Sequence, residues 1–135
     1  MVLLAFGAAC QRPPRQVTIV GSDYAFRGPD SLPAGPVAIS FENQGRVPHE
    51  LSIARLKPGI TLDSALAAVR AGAAPESVID GTVGILIAMP GQKSLGALGV
   101  DLVAGRTYGL ICQFQDAPDR PPHLMLGMVG SIEAR

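Results

Sequence analysis

The segment CQFQDAPDRPPHLMLGM, residues 112–128, gathers one of the chain's two cysteines, one of its two histidines and two of its four methionines. Cys112, His123, Met125 and Met128 together offer a thiolate, an imidazole and two thioethers. The second imidazole, His49, lies far upstream. Thiolate and thioether sulfurs are soft donors that favour Cu(I), and imidazoles accept both Cu(I) and Cu(II). Two imidazoles, one thiolate and a weak axial thioether make a set suited to mononuclear copper in electron transfer. Taken singly, each residue has a blander role. A buried cysteine is commonly inert core and methionine a common filler.

Whether these groups meet depends on the elements that carry them. Period-two apolar patterns run through much of the chain: Val17 and Ile19 in QVTIV, and Val37, Ile39 and Phe41 in PVAISFEN. HELSIARL places His49, Leu51 and Ile53 on one face, RTYGLIC places Tyr108, Leu110 and Cys112, and GMVGSIEA places Met128, Gly130 and Ile132. A softer strand is expected over 94–102. Turn-forming LPAG, NQG, MPGQ and VAG separate these runs. The pattern predicts an all-β fold of antiparallel strands in a sandwich. His49, Cys112 and Met128 share the core-facing parity of their strands and sit at strand ends. If those ends lie at one pole, the three side chains converge there, and His123 joins them from the connecting loop. Met128 has better spacing and parity for the axial place than its rival Met125. Tyr108 reads as a packed structural ring.

One segment departs from the strand pattern. In ITLDSALAAVRAG, Leu62, Ala65, Leu66 and Val69 recur at helical spacing, Thr61 suits an N-cap, and Gly72 can end the helix. APESV adds a short turn. Residues 57–82 are expected to form a helical excursion packed on the sandwich, within a single domain spanning 17–135.

The first residues read differently again. MVLLAFGAAC is apolar up to Cys10 and is followed by the polar QRPPRQ. Residues 1–10 resemble the end of a bacterial lipoprotein signal, in which small residues such as Ala8 and Ala9 precede an acylated cysteine. Residues 11–16 then form a tether. The protein is thus expected to be exported, on the periplasmic or extracytoplasmic side, and held to a membrane through a lipid on Cys10. A lipidated Cys10 leaves Cys112 as an odd thiol in an oxidising compartment, which calls for something to hold it. The alternative is a Cys10–Cys112 disulfide.

The composition narrows the classes of partner. The 135 residues carry 11 basic and 11 acidic side chains, for a formal net charge of zero, so no basic field exists to attract nucleic acid. Charged residues make up only 16%, and 16 glycines with 12 prolines favour short strands joined by turns over a helical bundle. Structural zinc sites use more closely paired Cys and His than are present here. Cys112 with a histidine could imitate a nucleophile and base, but its side chain is expected to face inward. An enzyme is not expected.

FENQGRVPHEL followed by YGLICQF and PPHLMLGMV resembles the cupredoxins, the small blue-copper proteins of the plastocyanin type. Asn43, Gly45, Pro48 and His49 match the first motif of that family, and the tyrosine-led strand into Cys112, then His123 and Met128, match the second. The resemblance implies a Greek-key sandwich with copper at one pole. It implies His49, Cys112 and His123 as equatorial ligands, Met128 as the axial one, and an apolar rim around His123, formed here by Leu124, Met125 and Leu126, for docking partners. Two departures stand out. Ten residues separate Cys112 from His123 where the family has two to four, and Glu50 stands where the family often has an asparagine that ties the ligand loops together. The expected function is electron transfer through a Cu(I)/Cu(II) site, with a redox protein as partner. Copper storage or delivery to an accepting oxidase is the alternative, and a metal-free interaction module is a third.

Overall fold

The computed structural model describes residues 12–135, and Cys10 with its expected lipid lies outside them. Among these residues nine strands form two sheets: β1 (Arg15–Ser22), β2 (Ala25–Arg27), β3 (Ser31–Leu32), β4 (Gly35–Asn43), β5 (His49–Leu56), β6 (Ile79–Ala88), β7 (Leu98–Leu102), β8 (Thr107–Ile111) and β9 (Val129–Ala134). One sheet has the order β2-β1-β4-β7 and the other β3-β9-β8-β5-β6. Among the described residues no helix is long and apolar enough to cross a membrane.

The expected β-sandwich is present, and alternation builds it. Val17 and Ile19 of β1, Val37, Ile39 and Phe41 of β4, and Leu51 and Ile53 of β5 turn inward with Tyr108, Leu110 and Ile132 to make one core. The Tyr108 ring fills this core while its hydroxyl accepts from the Val103 N–H at 3.0 Å. The sheets are mixed, however, and not purely antiparallel. β1 runs parallel to β4 over seven residue pairs, from Arg15↔Val37 to Gly21↔Asn43, and β3 runs parallel to β9. Alternation reports which face a residue takes and is silent on strand direction. β1 also begins at Arg15, so the last two residues of the expected tether are paired in the sheet.

Three strands escape the sequence pattern. β2 and β3 are too short to show a period. β6 has its inward Leu86 and Ala88 interleaved with half-exposed Ile85 and Ile87, so both faces are apolar and no alternation is visible. β6 begins inside the expected excursion, which therefore ends near residue 78. The softer strand is confined to Leu98–Leu102, with Ser94 tied instead into the loop before it.

The helix α1 (Leu62–Arg70) starts as expected at Thr61. The Thr61 hydroxyl accepts from the Ser64 N–H at 3.2 Å, and the Ser64 hydroxyl accepts from the Thr61 N–H at 3.0 Å. Ala65 packs with Leu56 and Val78 in a second small cluster. β5 can serve both clusters because bulges after Ile53 and Arg55 change its inward parity, turning Leu56 to the helix side. Gly109 of β8 lies beneath this cap, with Leu62 and Leu56 about a van der Waals contact from where a Cβ would stand. Thr61→Ala removes the cap and is expected to lower unfolding free energy by about 1 kcal/mol. Urea denaturation measures this loss, while the far pole of the sandwich stays unchanged.

Candidate metal centre

His49 opens β5, Cys112 follows the last residue of β8, and His123 begins a short 3-10 turn, His123–Leu126, that leads into β9. All three are buried, and one donor atom from each lies within 4.8 Å of the others. The Nδ1 atoms of His49 and His123 are 3.1 Å apart, and Cys112 Sγ stands 3.9 Å from the first and 3.4 Å from the second. A triangle with these sides has a centre about 2.0 Å from each corner, inside the ~2.0–2.3 Å span of zinc–imidazole and zinc–thiolate bonds. Among the described residues Cys112 has no disulfide partner, and Cys10 lies outside them. The donor triangle thus fits one small cation without movement of its members.

The loop before β5 places His49. Asn43, fully buried at the end of β4, donates from its side-chain amide to Val47 O at 2.8 Å and Ala88 O at 2.9 Å. Its carbonyl accepts from the Gly45 N–H at 2.8 Å. Residues 43–48 are thereby wound around one side chain. Gly45 is required by close approach: a Cβ there would run into Asp23 Oδ1 and stand 2.9 Å from His49 Nε2.

The long loop after Cys112 does fold back. The His123 N–H donates to Phe114 O at 2.8 Å, the Leu124 N–H to Cys112 O at 2.8 Å, and the Cys112 N–H to Met128 O at 3.2 Å. The Gln115 amide closes the outer part on Arg120 O at 2.6 Å. Gly127, at φ 105°, ends the 3-10 turn and returns the chain to β9. Glu50, the departure from the family pattern, performs the tie expected of asparagine: its carboxylate accepts from the Gln113 N–H at 2.9 Å. Its own N–H donates to Cys112 Sγ at 3.4 Å.

Met128 is fully buried, its N–H bonded to His123 O at 3.0 Å, and its methyl end lies on the inner side by Gly21. Met125 is 51% exposed and Leu126 44%, which places both on the surface beside His123. Sequence reasoning missed the groups outside the histidines. Asp23 Oδ1 lies 3.2 Å from His49 Nε2 and Asp116 Oδ1 2.9 Å from His123 Nε2. Tyr24 donates its hydroxyl to Asp116, and its ring meets that of His123 edge-on at 4.9 Å. Nothing in a period-two pattern marks them, since all three sit in turns or loops. Asp at a turn is common for local backbone reasons alone.

The environment sets the charges. Burial lowers the His49 pKa below its usual 6.5, against the opposing hydrogen bond that the ring donates to Asp23. Burial also raises the Cys112 thiol above 9.0, partly offset by the N–H groups of Glu50 and Phe114. At Asp23 burial works upward but is outweighed by the N–H and guanidinium of Arg46 and by His49, which leave its pKa at about 2. Asp116 is lowered by the Tyr24 hydroxyl first and by His123 second.

No family model matches the sequence, and no curated protein matches it. Solved structures do match in fold. Auracyanin B is 23% identical, with a TM-score of 0.60 over 92% of this chain and 91% of its own. Auracyanin A, a "blue" copper protein from Chloroflexus aurantiacus, is 23% identical at a TM-score of 0.55, covering 91% of this chain and all of its own. Dithionite-reduced auracyanin from Roseiflexus castenholzii is 18% identical at 0.58, over 89% and 96%.

Two outcomes follow from this geometry. Gly45→Ala pushes a methyl group into Asp23 and His49 and is expected to weaken metal binding at least about tenfold, as read by chelator competition, while the far-ultraviolet spectrum keeps its β signature. The metal-free protein is expected to lose stability at both ends of the pH range. Below 6.5 the unfolded chain takes up a proton that folded His49 resists, and above 9.0 it releases one that folded Cys112 retains. Urea midpoints at pH 5, 7.5 and 10 check this, and a midpoint rising toward either extreme contradicts it.

Proposed function

We propose that this chain is a copper-binding electron carrier of the cupredoxin type, acting outside the cytoplasm and tethered through a lipid on Cys10. The observation that carries the reading is the buried triangle of two imidazole nitrogens and one thiol sulfur, drawn from three separate elements. The auracyanin fold supports it as analogy, since fold alone does not assign function. The mixed soft and borderline donor set supports it as chemistry.

In this reading His49, Cys112 and His123 would hold the ion, and the buried Met128 would supply a fourth, weaker donor. Bound copper supplies a one-electron couple. The protein's part is to keep the donors still, so that a change of charge needs little rearrangement. Asn43 winds the loop that carries His49, and Glu50 joins that loop to the one after Cys112. The Glu50 N–H on the sulfur stabilises the thiolate over the thiol, which favours loading. Binding releases the proton that burial holds on Cys112, so affinity rises with pH until the competing thiol proton is gone.

Burial separates this reading from copper delivery. Handover by ligand exchange needs a donor that an accepting protein can reach, and His49 and Cys112 are 0% exposed and His123 1%. A carrier of electrons needs only short distance to the surface. Met125 and Leu126 form an exposed apolar rim beside His123, where a redox partner protein can seat. The three donors are all but fully buried, which leaves a substrate no open path to them, so we read the protein as a carrier and not an enzyme.

Titration of the protein lacking residues 1–10 with Cu(II) tests this. An intense visible thiolate-to-copper band is expected, saturating at one equivalent and bleaching reversibly on reduction. Cys112→Ala is expected to abolish the band, and Met128→Leu to keep it while shifting the reduction potential. Tight Cu(I) binding without any such band supports storage, and no uptake at all sinks the copper reading.

A further inference from the structure

Two carboxylates cover the outer edges of the paired imidazoles, and the carrier function above assigns them no task. They come from different places. Asp23 sits in the β1–β2 turn, and Asp116 sits in the loop after Cys112. Asp23 accepts from the Arg46 N–H at 2.9 Å and its Nε at 3.1 Å while facing His49 Nε2. Asp116 faces His123 Nε2 with one oxygen and takes the Tyr24 hydroxyl on the other. Each carboxylate is thus held by a second group and is not free to swing to solvent.

Tyr24 is itself unusual. Its φ of 79° is the only positive value among the described non-glycine residues, a backbone region that bulky side chains rarely occupy. The same turn residue lays its ring against His123 at 4.9 Å and near His49 at 6.2 Å. Strained backbone persists where surrounding contacts over-determine it. Here those contacts are two ligand imidazoles and the carboxylate beside one of them.

A neutral imidazole has one proton to give. A carboxylate at Nε2 accepts it there, which leaves Nδ1 as a bare lone pair. The structure has this arrangement twice, and both Nδ1 atoms point at the same spot. Two lone pairs and a sulfur then face one another across 3.1–3.9 Å, with only the thiol proton among them. Such a cluster is poorly satisfied until a cation enters it.

The geometry points to Asp23 and Asp116 as the positioning residues of this centre, each fixing one histidine in the Nε2–H tautomer, with Tyr24 as the tie that keeps Asp116 in place and closes the His123 edge to water. This deepens the copper reading and rests on it for affinity alone; the tautomers exist with or without metal.

Long-range proton–nitrogen spectra of the metal-free protein test it, with Cu(I) affinity measured against a chelator of known strength. In the wild type both histidines are expected to show slowly exchanging Nε2–H signals. Asp116→Ala is expected to lose the His123 signal and spare that of His49, and Asp23→Ala to do the reverse. Asp116→Asn restores the His123 signal, because its carbonyl still accepts, which a merely structural role does not explain. Each alanine variant is expected to bind Cu(I) about 10- to 100-fold more weakly, and Tyr24→Phe to speed exchange of the His123 Nε2–H. Wild-type protons on Nδ1, or Nε2–H signals unchanged in both alanine variants, overturn the inference. A wild type that binds no Cu(I) defeats the copper reading instead, and the spectra still decide this one.

Discussion

Everything at this pole depends on keeping three electron-rich atoms together where water cannot reach them. Two imidazole nitrogens and a sulfur repel when bare, and burial denies each the solvent that would otherwise satisfy it. No single local interaction holds them there. They stay because the sandwich fixes the strand ends, Asn43 winds the loop before β5, and backbone hydrogen bonds fold the chain after Cys112 back on itself. The scaffold therefore carries the cost of the cluster, a cost that a bound cation would relieve.

The chain after Cys112 shows how length need not mean looseness. Its ten positions, 113–122, are pinned at the start by Glu50, closed in the middle by Gln115 on Arg120, and returned at the end through His123 and Leu124. Glu50 has a longer side chain than asparagine and reaches the Gln113 N–H with a carboxylate. What the tie needs is an acceptor at that place, and the carboxylate supplies one. Asp116, in the same loop, is folded back next to His123.

Much of this was legible from residue order. Parity at His49, Cys112 and Met128 and their places at strand ends foretold which side chains are buried, and Thr61 foretold the start of α1. Strand direction was not legible, because a parallel β1–β4 pair and an antiparallel one show the same alternation. β6 was hidden by apolar residues on both of its faces. The contacts of Asp23, Tyr24 and Asp116 were hidden for another reason. Turn residues carry no period, and their partners lie 26, 92 and 7 positions away in the chain. Only the folded arrangement sets them beside the histidines.

The parallel pair β1–β4 has a consequence for how such a protein can change over generations. Its register sets Gly21 opposite Asn43, so the turn bearing Asp23 and Tyr24 and the loop bearing Gly45 leave the sheet side by side. A codon gained or lost inside either strand shifts one of them against the other and turns a whole row of side chains inside out. Heritable length variation is thereby steered away from the paired rows of β1 and β4 and toward surface turns that no ladder holds in register.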